Sequence, residues 1–364
     1  MLPDFPWDRL APHGDRAREH PDGIVDLSVG TPVDPTPELV QAALRAASDA
    51  PGYPQTYGTP PLREAVAEWF ARRRGVPGLD PAGVMPTVGS KELVAWLPTL
   101  LGLGAGDVVV HPEIAYPTYD VGARLAGATP LAADGTVQVG PAAGRVRLVW
   151  VNSPANPTGR VLGVEHLRKV VAWARSIGAV VAGDECYAEL GWDGTPIPSV
   201  LDPEVCGGSH EGILAVYSLS KQSNLAGYRA AFVAGDPALV RRLLEIRKHA
   251  GMIVPWPVQE ALRVALGDEE HVAAQRERYA VRRDLAVSAL TDAGFRIDHS
   301  EAGLYLWATR GEPGWDTVAA LAEQGVLVAP GAFYGPRGGQ HVRVALTAAD
   351  ERIARLPERL KGLG

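Results

Sequence analysis

Ser218-Leu219-Ser220-Lys221-Gln222-Ser223-Asn224-Leu225-Ala226-Gly227-Tyr228-Arg229 is the stretch on which the reading of this chain turns. The apolar run Ile213 to Tyr217 leads into it and predicts a buried strand. The chain then breaks into small polar residues around one lysine, with an arginine eight positions on. A lysine just past a buried strand is costly unless it does chemistry, because its desolvated amine becomes a nucleophile toward aldehydes. The hydroxyls of Ser218 and Ser220 and the guanidinium of Arg229 suit a phosphate dianion. An aldehyde and a phosphate on one small molecule point to pyridoxal 5'-phosphate (PLP). Alone, the same residues also describe a solvated loop lysine, so the rest of the chain has to agree.

The bulk composition permits this. The chain has 364 residues, 46% apolar and 21% charged, with a net charge of -7. That is long enough for one large domain and a smaller one, and too acidic for a nucleic-acid surface. Arg72-Arg73-Arg74 is the main basic cluster, at an expected helix end, and reads as a solvated face. Cys186 and Cys206, the two cysteines, form no CxxC pair, so neither a disulfide framework nor a metal site is expected. Met1 to Leu10 lacks the apolar core of a signal peptide, and no stretch reaches the roughly 20 apolar residues that cross a bilayer. A cytoplasmic protein is expected.

Helix and strand signals alternate. Leu62 to Arg74 carries Leu62, Ala65, Val66, Trp69 and Phe70 on one stripe, and Leu167 to Arg175 predicts a second helix. Strands are expected at 107–111, 147–151, 179–182, 213–217 and 230–234. Strands separated by helix-length segments predict an α/β fold with a largely parallel sheet covered by helices. From about residue 265 the character changes. A charge-rich helix over 268–290, a helix over 318–324 and strands at 304–308, 326–328 and 342–346 predict a smaller α+β lobe. Residues 1–45 are expected to join that lobe through a stiff crossing at Pro32, Pro35 and Pro37. The expected division is therefore 1–45, a large domain over 46–265, and a small domain over 266–364.

Five further places carry candidate chemistry. Gly89-Ser90-Lys91-Glu92-Leu93, after an expected turn, opens a helix, where backbone amides and the dipole can hold phosphate, although an ordinary N-cap looks the same. Tyr116, on the loop after His111, can lie flat on a pyridine ring or simply fill a Tyr-Pro turn. Asn152-Ser153-Pro154-Ala155-Asn156-Pro157-Thr158-Gly159 is forced into a non-helical loop at a strand's carboxyl end, where α/β sheets bind ligands, and Asn156 can donate to a ring oxygen. Asp184, in Gly183-Asp184-Glu185-Cys186-Tyr187, follows another strand and would be desolvated unless it met a cation such as a protonated pyridine, or it caps a helix. Tyr187 can share the ring oxygen with Asn156. Arg343, in His341-Val342-Arg343-Val344-Ala345-Leu346, places a guanidinium on an apolar strand, which suits an α-carboxylate as well as a surface position.

In this order the motifs resemble the class I/II aminotransferases of PLP fold type I. The resemblance runs from Leu27-Ser28-Val29-Gly30-Thr31-Pro32 to Arg343, through Tyr53 to Gly58, Asn152 to Gly159, Asp184 to Tyr187 and Ser218 to Arg229. It implies that Lys221 is the Schiff-base lysine, that Asp184 pairs with the pyridine nitrogen, that Asn156 and Tyr187 hold the ring oxygen, and that Tyr116 stacks on the ring. Gly89, Ser90, Lys91, Ser218, Ser220 and Arg229 would bind the phosphate, and Gly30, Asn156 and Arg343 the substrate carboxylate. Tyr53 would reach the neighbouring subunit's phosphate in a homodimer. Phe5-Pro6-Trp7-Asp8, the segment from His20 to Pro35, Val88 to Pro98 and Cys206-Gly207-Gly208-Ser209 resemble the actinobacterial type of succinyldiaminopimelate transaminase. That implies amino transfer between glutamate and N-succinyl-2-amino-6-oxopimelate. Another aminotransferase specificity or a C–S β-lyase shares every cofactor residue. A PLP-sensing regulator would add an amino-terminal DNA-binding domain, against which a pattern starting by Leu27 and the acidic charge both speak. Gln222, where a basic residue is usual, and Trp256, bulky in an expected loop, stand out. Lys91, Arg247 and Arg337 are candidates for the distal carboxylate.

Overall fold

The computed structural model describes residues 6–363; Phe5 of the quoted amino-terminal motif lies outside them. Twelve strands are described: β1 (Val25–Leu27), β2 (Val84–Val88), β3 (Val108–His111), β4 (Thr129–Ala132), β5 (Val146–Asn152), β6 (Val180–Asp184), β7 (Ile213–Ser218), β8 (Ala230–Gly235), β9 (Arg296–Asp298), β10 (Tyr305–Thr309), β11 (Val326–Pro330) and β12 (Val342–Ala345). Seven form one sheet in the order β2-β8-β7-β6-β5-β3-β4, and five form another in the order β1-β11-β12-β10-β9.

The large sheet is parallel except at β8, which runs antiparallel to both β2 and β7. The carboxyl ends of β2, β3, β5, β6 and β7 and the start of β8 therefore meet at one edge. Apolar runs such as Ile213–Ser218 are buried along their length because helices cover both faces. One cover is the helix Pro60–Arg73, with Thr59 as N-cap accepting from the Leu62 amide. It buries Leu62, Val66, Trp69 and Phe70, and Trp69 lies 4.5 Å from the Tyr217 ring.

The sequence missed four strands for local reasons. β1 and β9 have three residues each, too few for a period. β4 is only partly buried and carries a proline. β2 contains Pro86, which an edge strand tolerates because its N–H side needs no ladder partner. The expected turn before Gly89 is thus a strand. Trp256 opens the helix Trp256–Leu266 and does not lie in a loop.

In the Arg72-Arg73-Arg74 cluster, Arg72 and Arg73 are exposed as expected, but Arg74 is not part of a solvated face. Arg74 is buried and pairs at 3.1 Å with buried Glu185, while Arg73 pairs at 2.6 Å with Glu189. Glu185 also accepts from Ser199 Oγ at 2.8 Å and the Val200 amide at 2.7 Å. Glu185 follows Asp184 directly, so this network clamps the end of β6. The long helix Glu270–Asp292 has an equivalent role on the other side. Its buried Arg282 grips Asp34 through two bonds of 2.6 and 2.8 Å. That fixes the proline-rich crossing, and Asn224 Nδ2 donates to the Pro35 carbonyl beside the lysine loop.

Removing one partner of a buried ion pair strands the other, at a cost of about 3–5 kcal/mol. Arg74→Leu is expected to lower unfolding stability in urea by that order. The same change in a Glu185→Gln background should cost far less; equal losses would mean that the pair is not what Arg74 contributes.

Candidate functional site

The shared sheet edge gathers most of the predicted residues. Asp184, the last residue of β6, is buried, and its carboxylate accepts from the Tyr119 hydroxyl at 2.8 Å and the Cys186 amide at 3.3 Å. Burial raises its pKa above the usual carboxylate value, although hydrogen bonds from the Cys186 thiol, the Tyr119 hydroxyl and the Cys186 amide oppose the rise. It has no cationic partner among the described residues, so a cation from outside would relieve it. Tyr119 was not anticipated. It sits three residues after Tyr116 on the helix Thr118–Leu125, stacked at 4.9 Å on Trp150 of β5.

One strand over, Asn152 holds the proline-broken loop. Its side chain donates to the carbonyls of Asp184 (3.0 Å) and Pro154 (3.2 Å) and accepts from the Asn156 amide (2.8 Å). Asn156 is thereby buried with its Oδ1 turned to Arg343, which donates to it at 3.1 Å. A second Arg343 nitrogen donates to the Ser28 carbonyl at 2.7 Å, and the buried Nε has no partner. The guanidinium lies over two aromatic faces, 4.0 Å from the Tyr305 centroid and 5.0 Å from that of Tyr334. A buried cation held by neutral groups, with one donor unused, has the chemistry that an anion site requires.

Lys221 donates its Nζ to the Gly30 carbonyl, which joins the lysine loop to the chain after β1. Gly30 admits no side chain, because a Cβ there would lie 2.1 Å from the Tyr305 hydroxyl. Ser218 and Ser220 are buried with their hydroxyls 2.8 Å apart. Gly89, at φ +75°, joins β2 to the helix Ser90–Leu100, and its amide donates to the Arg229 carbonyl at 2.9 Å. A Cβ at Gly89 would fall 2.0 Å from an Arg229 guanidinium nitrogen. The helix start, the two serines and Arg229 thus border a cradle that any larger residue at 89 would fill. Tyr187 meets Tyr305, their hydroxyls 3.2 Å apart. Burial pushes the Tyr116 phenol up to about 12, leaving a neutral ring on the loop after β3.

Other predicted residues stand apart. Tyr53 is fully exposed, and Lys91 is exposed on the helix start. Arg247 is fully buried in a two-bond pair with Glu92 (2.6 and 3.0 Å), which braces the helix after Gly89. Arg337 is an exposed residue paired with Glu113. Neither arginine is a free cation for a distal carboxylate. Gln222 is buried, accepting from Tyr217.

The chain matches the family model described as aminotransferase class I and II over residues 22–360. It is 63% identical to a probable aminotransferase of Mycobacterium tuberculosis over 99% of this chain and 85% of that protein. It is 60% identical to the 4-dedimethylamino-4-oxo-anhydrotetracycline transaminase OxyQ of Streptomyces rimosus over 99% of both. Among solved structures, it overlays a probable N-succinyldiaminopimelate aminotransferase of Thermus thermophilus with a TM-score of 0.87 and 29% identity, covering 99% of this chain and 100% of that one. The PLP fold type I architecture and PLP dependence follow from these matches.

The residues present fit that cofactor. Among the described residues a buried carboxylate lacks a cation, a glycine-floored cradle borders a guanidinium, and a lysine amine reaches the chain after β1.

Two outcomes test the site. Gly89→Ala is expected to weaken PLP binding at least tenfold by equilibrium titration, because the Cβ intrudes on Arg229 and the φ is strained. For Asp184, the raised native pKa means that cofactor-free stability contributed by its protonated form is lost as pH rises from the unfolded value through the folded one. Cofactor-free Asp184→Asn should therefore be at least as thermally stable as the parent at pH 8, while the rise in Tm on adding PLP shrinks. A variant that keeps the full PLP-induced rise would remove Asp184 from the cofactor's site.

Proposed function

Because this chain belongs to the class I and II aminotransferases, we propose that it moves an amino group from glutamate to N-succinyl-2-amino-6-oxopimelate, with Lys221 as the acting amine. The chain is an aminotransferase by its family, and amino acids and 2-oxo acids are that family's substrates. The observation that carries the residue roles is Arg343: a buried guanidinium without a carboxylate partner, turned toward Asn156 and backed by the loop that carries Gly30.

Bound PLP supplies a cationic conjugated ring that takes up the electron pair left when an amino acid's α-hydrogen departs as a proton. Asp184 would hold the ring nitrogen's proton, its desolvated carboxylate gaining the counter-charge it lacks. Asn156 and Tyr187 would donate to the ring oxygen, and the neutral Tyr116 would cover one face. Gly89, Ser90, Lys91, Ser218, Ser220 and Arg229 would hold the phosphate. Arg343 grips the α-carboxylate, which orients the Cα–H bond. Lys221 then takes the α-proton and later returns one, the transfer a nearby amine performs. Tyr53, fully exposed, supports a homodimer in which it reaches the neighbouring site. The division at about residues 45 and 265 is supported by the two separate sheets, with β1 in the five-stranded one.

The similarity to a Thermus protein named for N-succinyldiaminopimelate supports this acceptor. The second reading is a ring ketone, supported by 60% identity to the tetracycline-pathway transaminase over nearly the whole of both chains. It is also favoured by the pairing of Arg247 and Arg337 with Glu92 and Glu113, which leaves neither free for a distal acid.

PLP-loaded protein is to be assayed with glutamate and either N-succinyl-2-amino-6-oxopimelate or a 4-oxo-anhydrotetracycline, following 2-oxoglutarate. The first acceptor is expected to give the higher kcat/KM by at least tenfold; the reverse order assigns the ring ketone. Pyruvate release from cystathionine without amino transfer would sink both. Lys221→Ala is expected to lose turnover by at least a thousandfold together with the visible absorbance of a lysine-linked cofactor.

A further inference from the structure

Tyr305 belongs to none of the roles assigned above, yet it touches most of the site's chemistry. It lies on β10 of the small sheet, directly opposite Ala345, with Trp307 opposite Arg343. Tyr305 and Arg343 are therefore diagonal neighbours on one face of the sheet, a spacing within aromatic reach. The Arg343 guanidinium sits 4.0 Å above the Tyr305 ring. The other end of the ring reaches past Gly30, which is stripped of a side chain to let the hydroxyl by, and meets the Tyr187 hydroxyl at 3.2 Å. The carbonyl of that same Gly30 receives Lys221 Nζ.

We propose that Tyr305 is a positioning residue for transamination with two separable functions: its ring holds the Arg343 guanidinium for the substrate carboxylate, and its hydroxyl, beside the Gly30 that receives Lys221, holds Tyr187. One rigid side chain thereby links the carboxylate end of the site to the amine end. The inference rests on the reading of Lys221 and Arg343 given above.

The electrostatics agree with this geometry. The titratable and charged groups facing Tyr305 are Tyr187 and Cys186 after β6, Lys221 on its loop, Arg343 on β12, Tyr334, Tyr116 and, from the long helix, Tyr279. Burial works to raise the Tyr305 phenol, but Arg343, Lys221 and the Tyr187 bond outweigh it and hold it below the usual tyrosine value. Its partner Tyr187 goes the other way, raised by burial first and then by Tyr305 itself. The hydroxyl pair is thus polarised, with the more acidic oxygen toward the two cations.

Two variants separate the functions, both in PLP-loaded protein. Tyr305→Phe keeps the ring and loses the hydroxyl. It should bind glutarate, the glutamate skeleton without its amine, within about twofold of the parent, since a cation over an aromatic face needs no hydroxyl. Its kcat should fall about tenfold, and the limbs of its kcat/KM pH profile should move by about half a unit or more, because an oxygen beside Lys221 has gone. Tyr305→Leu loses the ring as well. It should also bind glutarate about tenfold more weakly and raise the KM for glutamate accordingly, a loss that Phe at the same position recovers. Tyr305→Phe with parental kcat and pH profile overturns the hydroxyl's function, and Tyr305→Leu with parental glutarate affinity overturns the ring's. If the Leu variant does not fold, Tyr305→Trp, which keeps an aromatic face, replaces it, with retained glutarate binding expected and a tenfold loss overturning. Lys221→Ala separates the two layers. Turnover in that variant means that the underlying reading of the site is wrong. An inactive Lys221→Ala beside parental Tyr305 variants removes only the positioning role.

Discussion

A guanidinium buried without a counter-ion among the described residues is the constraint on which this structure depends. Arg343 projects from the small sheet, yet its donors end on the large sheet's Asn156 loop and on the Ser28 carbonyl of the amino-terminal crossing. Three segments far apart in the chain are thus drawn to one cation. Two neutral oxygens and two aromatic faces hold it, and none carries a full negative charge. Such a site is costly without an anion, which is the ground on which we propose that it binds one.

The opposite charge is stored at the end of β6 in the same manner. Asp184 ends β6 with a phenol, the Cys186 thiol and the Cys186 amide donating to it, all of them neutral. Its neighbour Glu185 has the ion pair that Asp184 lacks, through Arg74. The difference between these adjacent carboxylates separates structure from chemistry. A carboxylate with a buried arginine and two more donors is a clamp, whereas one left without a cation is the group we propose meets a cationic ring. The parallel sheet makes this possible, because its strand ends bring the lysine loop, the asparagine loop and both carboxylates to one edge.

The architecture was largely legible in the chain. The β-branched runs and their spacing predicted the parallel sheet, and the motifs around Lys221, Asp184 and Asn156 fell at strand ends as read. Short or partly exposed strands such as β1 and β4 carried no period to detect. Arg74 was misread because a helix-end arginine looks solvated until a buried glutamate from another segment is seen beside it. Tyr119 could have been found, since its spacing from Tyr116 places it on the inward face of a helix opening at 118. Tyr305 could have been marked as lying on an alternating strand, but not as the partner of Arg343, because that depends on register.

By itself, then, the sequence pointed to the class of fold and, through the family its motifs resemble, to the cofactor, and it marked Lys221, Asp184 and Arg343 as the candidate lysine, aspartate and carboxylate-binding arginine. These follow from local rules: the period of apolar residues, the backbone limits of proline and glycine, and the cost of burying charge. Only the tertiary structure decided which charges are spent and which are free. Arg247 and Arg337 are taken by Glu92 and Glu113, while Arg343 is left open. The physical reason is that a side chain's charge is balanced through space by residues distant in the chain, and neither spacing nor composition carries that distance.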